Sequence, residues 1–128
     1  MIPRILPSEA VRQGDLILVN AHHPYHPAAQ TDLVPVAGSG ILLERRAAQA
    51  LDSLMAAIGD GWRVIVPVSG WRPQEEQQAI WDGSLQENGL AFTRTYVARP
   101  GCSEHQTGLA IDLGRAAREI DFIRPDFP

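Results

Sequence analysis

The ten residues Ser103-Glu104-His105-Gln106-Thr107-Gly108-Leu109-Ala110-Ile111-Asp112 constrain this chain more than any other stretch. They set a histidine and an aspartate seven positions apart around a glycine and a short alternating run. The alternation predicts a strand that sends Leu109 and Ile111 to one face, and Gly108, Ala110 and Asp112 to the other. A carboxylate on a strand so rich in small and apolar residues is costly to bury unless a cation meets it. A zinc ion shared with His105 would serve, because imidazole nitrogen and carboxylate oxygen are both ordinary zinc ligands. A catalytic zinc takes about three protein ligands and keeps one position open. The sixteen residues after Asp112 contain no histidine or cysteine, so the pattern visibly supplies two ligands.

Composition narrows the class. A chain of 128 residues with 45% hydrophobic content reads as one domain, 1–128, with a single modest core. A net charge of −4 argues against nucleic acid or an anionic membrane as the main partner. The start, Met1 to Pro7, has no apolar run of the kind export signals carry, and no later run approaches a membrane span. The expected compartment is therefore the cytoplasm. The lone Cys102 agrees, since it offers no intramolecular disulfide.

The order of elements is mixed. Leu16–Val19 reads as a short strand leading into a loop from Asn20 to Pro27. From Ile41 to Ile58, Leu43, Ala47, Leu51, Leu54, Met55 and Ile58 recur at helical spacing and predict a helix with that stripe buried. Gly59 and Gly61 would stop it through left-handed backbone. Val64–Val68 reads as a strand whose Pro67 implies an edge or a bulge. After the turn Ser69-Gly70-Trp71-Arg72, Pro73 suits the first turn of a helix, with Glu75 and Glu76 near its positive end. That helix should run to about Leu85, followed by a polar loop, the Leu109 strand, and an extended Asp121–Pro128. The class is α+β, a small antiparallel or mixed sheet with helices packed mainly on one side.

Two polar residues stand out. Gln77 shares a helical face with Ile80 and Trp81, so its amide needs partners, either a loop carbonyl or a substrate. Arg72 directly follows an apolar strand, where site residues gather, although it could equally pair with Glu75 or Glu76 at the surface.

The pattern Ser103-x-His105-x-x-Gly108-x-Ala110-x-Asp112, preceded by Ser69-Gly70-Trp71-Arg72 and Glu75-Glu76-Gln77, resembles the VanY-type zinc D-alanyl-D-alanine carboxypeptidases and dipeptidases. The resemblance spans roughly Leu16 to Pro128 and implies the hedgehog-like D,D-peptidase fold. It implies His105 and Asp112 as zinc ligands and Arg72 as the group that polarises the scissile carbonyl and holds the oxyanion. Gln77, Ser103 and Tyr96 correspond to positions that hold a D-Ala-D-Ala-terminated substrate. The implied reaction is zinc-assisted hydrolysis of that peptide, in a family associated with glycopeptide resistance. A non-catalytic module that binds D-Ala-terminated peptides is the other reading.

The family pattern also carries a later Glu-x-x-His segment, with the general base and a third zinc ligand, which this sequence lacks. The expectation is a shortened chain, either a fragment or an inactive relative, that releases D-alanine near background. His22, His23 and His26 could substitute as ligands or could form a solvent-facing loop fixed by prolines. Cys102 has Cys-x-x-His spacing to His105 but no second pair. Glu104, as the neighbour of His105 on a strand, would point away from the metal.

Overall fold

The computed structural model describes residues 3, 5, 7, 14, 17–26 and 31–116. They fall into two compact units, one drawn from 1–30 and 73–106, the other from 31–72 and 107–128.

The second unit contains four short strands and two helices, and its first hairpin is written in turn chemistry. Strands β1 (Leu33–Pro35) and β2 (Leu42–Glu44) pair antiparallel, with Val34 opposite Leu43. Ala37 and Gly38 take positive φ between them, and the Ser39 hydroxyl donates to the Val36 carbonyl at 2.6 Å. Helix α1 then runs from Arg45 to Ile58. Its start is four residues later than helical spacing alone implies, because Leu42–Glu44 are held by the β1 ladder. The Glu44 carboxylate accepts from the Ala47 N–H at 3.0 Å and caps the new helix.

Gly59, at φ 84°, ends α1 as expected. Gly61 acts differently. It opens the short helix α2 (Gly61–Val64), where a Cβ would collide with the Met55 carbonyl. Strand β3 is therefore Ile65–Ser69, one residue later than the apolar run suggests. It pairs antiparallel with β4 (Asp112–Arg115), and the register shifts between Pro67 and Ser69. Proline lacks the N–H that an unbroken ladder would require, so the bulge sits where Pro67 implies it.

The core of this unit is Val36, Leu43, Ala48, Leu51, Met55 and Ile65, with Trp62, Ile111 and Leu113 packed against it. Side chains of this size each contribute about 1.5–3 kcal/mol when fully buried. The predicted stripe is half right. Leu43, Leu51 and Met55 are buried, but Leu54 and Ile58 are 55% and 49% exposed. The α+β class holds, although the described strands form two separate two-stranded antiparallel pairs rather than one sheet.

In the first unit, helix α3 runs from Gln74 to Tyr96, well past the expected end at Leu85. Pro73 is its N-cap rather than a first-turn residue, and Glu75 and Glu76 occupy the first turn. At Gly89 the backbone turns to φ 81°, ψ 174°, a kink that divides the helix. Thr93, fully buried, donates to the Gly89 carbonyl at 2.8 Å and meets the Ser84 hydroxyl at 2.7 Å, so hydroxyls close the kink from both sides. The strand expected at Leu16–Val19 does not form over residues 17–19. The ladder there is only an isolated bridge between Asn20 and His23. Asp121–Pro128 lie outside the described residues. No helix among them is long and apolar enough to cross a membrane.

Candidate active site

Arg72 and Asp112 belong to the second unit, where β3 and β4 bring them to a common neighbour. The bulge after Pro67 puts Ser69 opposite Asp112, the first residue of β4. The Ser69 hydroxyl in turn accepts a hydrogen bond from Arg72 Nη2 at 2.6 Å. Gly70 lies so close to β2 that a Cβ would collide with the Leu42 carbonyl oxygen, and the same oxygen accepts from the Trp71 N–H at 2.7 Å. Three successive residues of the Ser-Gly-Trp-Arg motif therefore fix the backbone that presents Arg72. Arg72 and Asp112 are both half-buried.

Gln77, Tyr96, Ser103 and His105 belong to the first unit. Gln77 is 2% exposed, and its Nε2 donates to the Ala98 carbonyl at 2.8 Å. The loop-carbonyl reading of this buried amide is thus realised: Gln77 ties the start of α3 to the chain that leaves its end. Tyr96 is 72% exposed on the last turn of α3, with its ring 4.7 Å from that of Phe92.

His105 departs from the expected strand. Residues Glu104–Thr107 form a 3-10 turn, Gly108 follows at φ +79°, and the β4 ladder begins only at Asp112. The Ser103 hydroxyl accepts from the His105 N–H at 3.3 Å, and the Gln106 N–H returns to the Ser103 carbonyl at 3.1 Å. Ser103, assigned from sequence to substrate, thereby also caps the turn that carries the histidine. His105 is buried while Glu104 is exposed, on a turn rather than on the strand used to argue their opposite directions. Gly108 also meets the second unit's hairpin. Its carbonyl accepts from the Glu44 N–H at 2.8 Å, and an added Cβ would stand 3.2 Å from Leu33 Cδ2.

His22, His23 and His26 are exposed, and Asn20 Oδ1 accepts from the backbone N–H groups of His22 and His23. An asparagine organises this loop, where sequence reading credited the prolines. Cys102 is a half-buried free thiol. Zinc chemistry suits His105 and Asp112, whose nitrogen and oxygen donors are two of the roughly three a catalytic site uses. Among the described residues no three His, Cys, Asp or Glu side chains gather as a metal cluster. Ser69 is the site residue that sequence reasoning passed over. Its signal was present, since it opens the motif that ends in Arg72.

Comparison with known proteins bears on this arrangement. The family model described as D-alanyl-D-alanine carboxypeptidase, VanY, matches residues 40–125. A bifunctional D-Ala-D-Ala dipeptidase and carboxypeptidase, VanXYC of Enterococcus gallinarum, is 40% identical over 116 residues, covering 88% of this chain and 60% of its own. The crystal structure of the vancomycin resistance D,D-dipeptidase VanXYg, in complex with a D-Ala-D-Ala phosphinate analogue, superposes with a TM-score of 0.82. It is 51% identical and covers 96% of this chain, which spans 49% of it. A mutant of the D,D-pentapeptidase VanY from a VanB-type resistance cassette, in complex with Zn(II), gives a TM-score of 0.68 at 35% identity. The match covers 81% of this chain and 63% of that one. This chain thus spans about half to two thirds of the length of these proteins.

Proposed function

The chain belongs to the VanY D-alanyl-D-alanine carboxypeptidase family, and from that premise we propose that it hydrolyses peptides ending in D-Ala-D-Ala with the help of zinc. The reading is carried by its likeness to a D,D-dipeptidase seen with a D-Ala-D-Ala phosphinate analogue. It is supported by the motif residues in this chain.

In this proposal His105 and Asp112 hold the metal. Zinc, when bound, supplies Lewis acidity at neutral pH. Arg72 presents its guanidinium to the scissile carbonyl, whose oxygen gains negative charge as a water oxygen bonds to the carbonyl carbon. A fixed cation stabilises that charge without having to reorganise, and the bond to Ser69 helps fix it. The C–N bond then breaks, and the proton from water leaves with the amine of D-alanine. Gln77, Ser103 and Tyr96 hold the peptide end, Gln77 and Ser103 by keeping the loop and turn around His105 in shape.

The test is release of D-alanine by the purified protein, with zinc added or removed by chelator, from D-Ala-D-Ala and from an N-acylated tripeptide ending in it. L-Ala-L-Ala serves as control. Zinc-dependent release confined to the D,D substrates is the expected result. Binding of D-Ala-D-Ala without release would favour the non-catalytic module, and absence of both would end the D-Ala-D-Ala reading.

A further inference from the structure

The first unit contains a large feature that cleavage of a dipeptide leaves unused. Residues 17–21 and 94–99, with Cys102 and Glu104, line an open groove of about 730 Å³. Pockets of about 300–1,000 Å³ accommodate drug-sized ligands, so a bare dipeptide would leave much of this one to solvent. The groove adjoins the candidate site along the chain. Its lining includes Tyr96, and Cys102 and Glu104 flank Ser103 immediately before His105.

Its charge is specific. Arg94 and Arg99 both line it, against Glu104 as the one acidic lining residue. The Arg99 guanidinium lies over the Trp81 ring, 5.9 Å from the centroid, a contact that restrains the cation through its face while leaving its N–H edge to donate. Arg94 is exposed and forms no ion pair among the described residues. Two planar forks suit a carboxylate, which accepts two parallel hydrogen bonds from one guanidinium. The apolar Leu18 and Val19 in the same lining suit the aliphatic stem of a peptide.

We infer that this groove receives the part of a longer peptide that lies N-terminal to the scissile bond, and that Arg94 and Arg99 select peptides carrying a carboxylate there. The inference rests on the D,D-peptidase reading, and binding measurements separate the two. Calorimetry would compare D-Ala-D-Ala, acetyl-Ala-Glu-Ala-D-Ala-D-Ala and its glutamine counterpart at low salt. The glutamate peptide should bind about tenfold tighter than the glutamine peptide, the ratio expected from one charge-assisted hydrogen bond of about 1.5 kcal/mol. Arg94→Gln and Arg99→Gln should each shrink that ratio toward one and leave dipeptide binding unchanged. Arg94→Gln serves as the variant that does not disturb the contact with Trp81. Equal binding of the two pentapeptides, with the dipeptide still bound, overturns the groove assignment alone. Discrimination without dipeptide binding upholds the groove and removes the D-Ala-D-Ala reading. No binding of any peptide removes both.

Discussion

Arg72 is tethered to Ser69, its Nη2 donating to the serine hydroxyl at 2.6 Å, and Ser69 faces Asp112 across the β3–β4 pair. The residue proposed to hold the oxyanion is therefore aimed by a neighbour three positions back. In the active protein, Arg72→Ala should lower kcat by about 10²–10³ with little change in KM, because its charge acts mainly on the transition state. Ser69→Ala should lower kcat by about tenfold, the value of one hydrogen bond to a charged group. Ser69→Thr, which keeps a hydroxyl, should restore most of it. Steady-state kinetics on D-Ala-D-Ala reads all three, and a Ser69→Ala effect confined to KM would show that the tether does not aim the arginine.

The two leucines of α1 should behave oppositely. Leu51 is in the core, so Leu51→Ala should cost about 2–5 kcal/mol. Leu54 is 55% exposed, and Leu54→Ala should stay within about 0.5 kcal/mol. Urea denaturation of both variants checks the helix register. Similar losses at the two positions would contradict it.

Gly70 and Gly89 separate crowding from conformation. A Cβ at Gly70 collides with the Leu42 carbonyl, whereas Gly89 has open space but φ +81°. Gly89→Ala should cost about 1–2 kcal/mol from left-handed strain alone. Gly70→Ala should cost more and should also reduce turnover, since it displaces the backbone before Arg72. Thermal melts with parallel activity assays distinguish the two.

Stability should fall in acid partly through one surface pair. Arg45 Nε donates to Asp32 Oδ2 at 2.7 Å, and this bond holds the Asp32 carboxyl below the usual carboxylate range. A depressed folded value means the contribution is fully present above the unfolded carboxyl's pKa. It is lost as pH falls through the lower, folded one. Asp32→Asn should therefore lower the melting temperature slightly at neutral pH and not at all at the acid end, where wild type and variant converge. A constant gap across the titration would rule the pair out as its source.

Zinc should bind this chain weakly, since His105 and Asp112 alone give neither the charge nor the closed geometry of a full site. Metal titration should show loss of binding in His105→Ala and in Asp112→Ala. Stoichiometric zinc retained through dialysis against a chelator would require another ligand, and His22, His23, His26 and Cys102 would be the first to mutate.

Much of this structure was legible from local chemistry. The Pro67 bulge, the Gly59 stop and the acidic first turn of α3 each follow from what one residue type can do. The misreadings came from pairing. Residues 42–44 keep helical periodicity with α1, yet β1 claims them, and no local signal names that partner. Leu109–Ile111 alternate like a strand, yet the ladder starts at Asp112 because β4 must meet the shifted register after Pro67. Past Leu85 the polar residues looked like loop, although Ser84, Gly89 and Thr93 were positioned to satisfy one another across a kink. The candidate residues themselves were readable because their motifs fall at element ends, where backbone geometry restricts what can replace them.

The pairing of β3 with β4 joins Ile65 to Arg115, and all of α3 with the turn before Gly108 is strung between them. Topologically, that excursion is a single long loop hung from one ladder. Doubling the length of such a loop costs only about 0.6 kcal/mol of closure entropy. Its length and surface can therefore drift between homologues at little cost, whereas a one-residue slip in the ladder would break the pairing of Ser69 with Asp112. Evolution of substrate range in such a chain is accordingly freest within the excursion, and most restricted at the two strands from which it hangs.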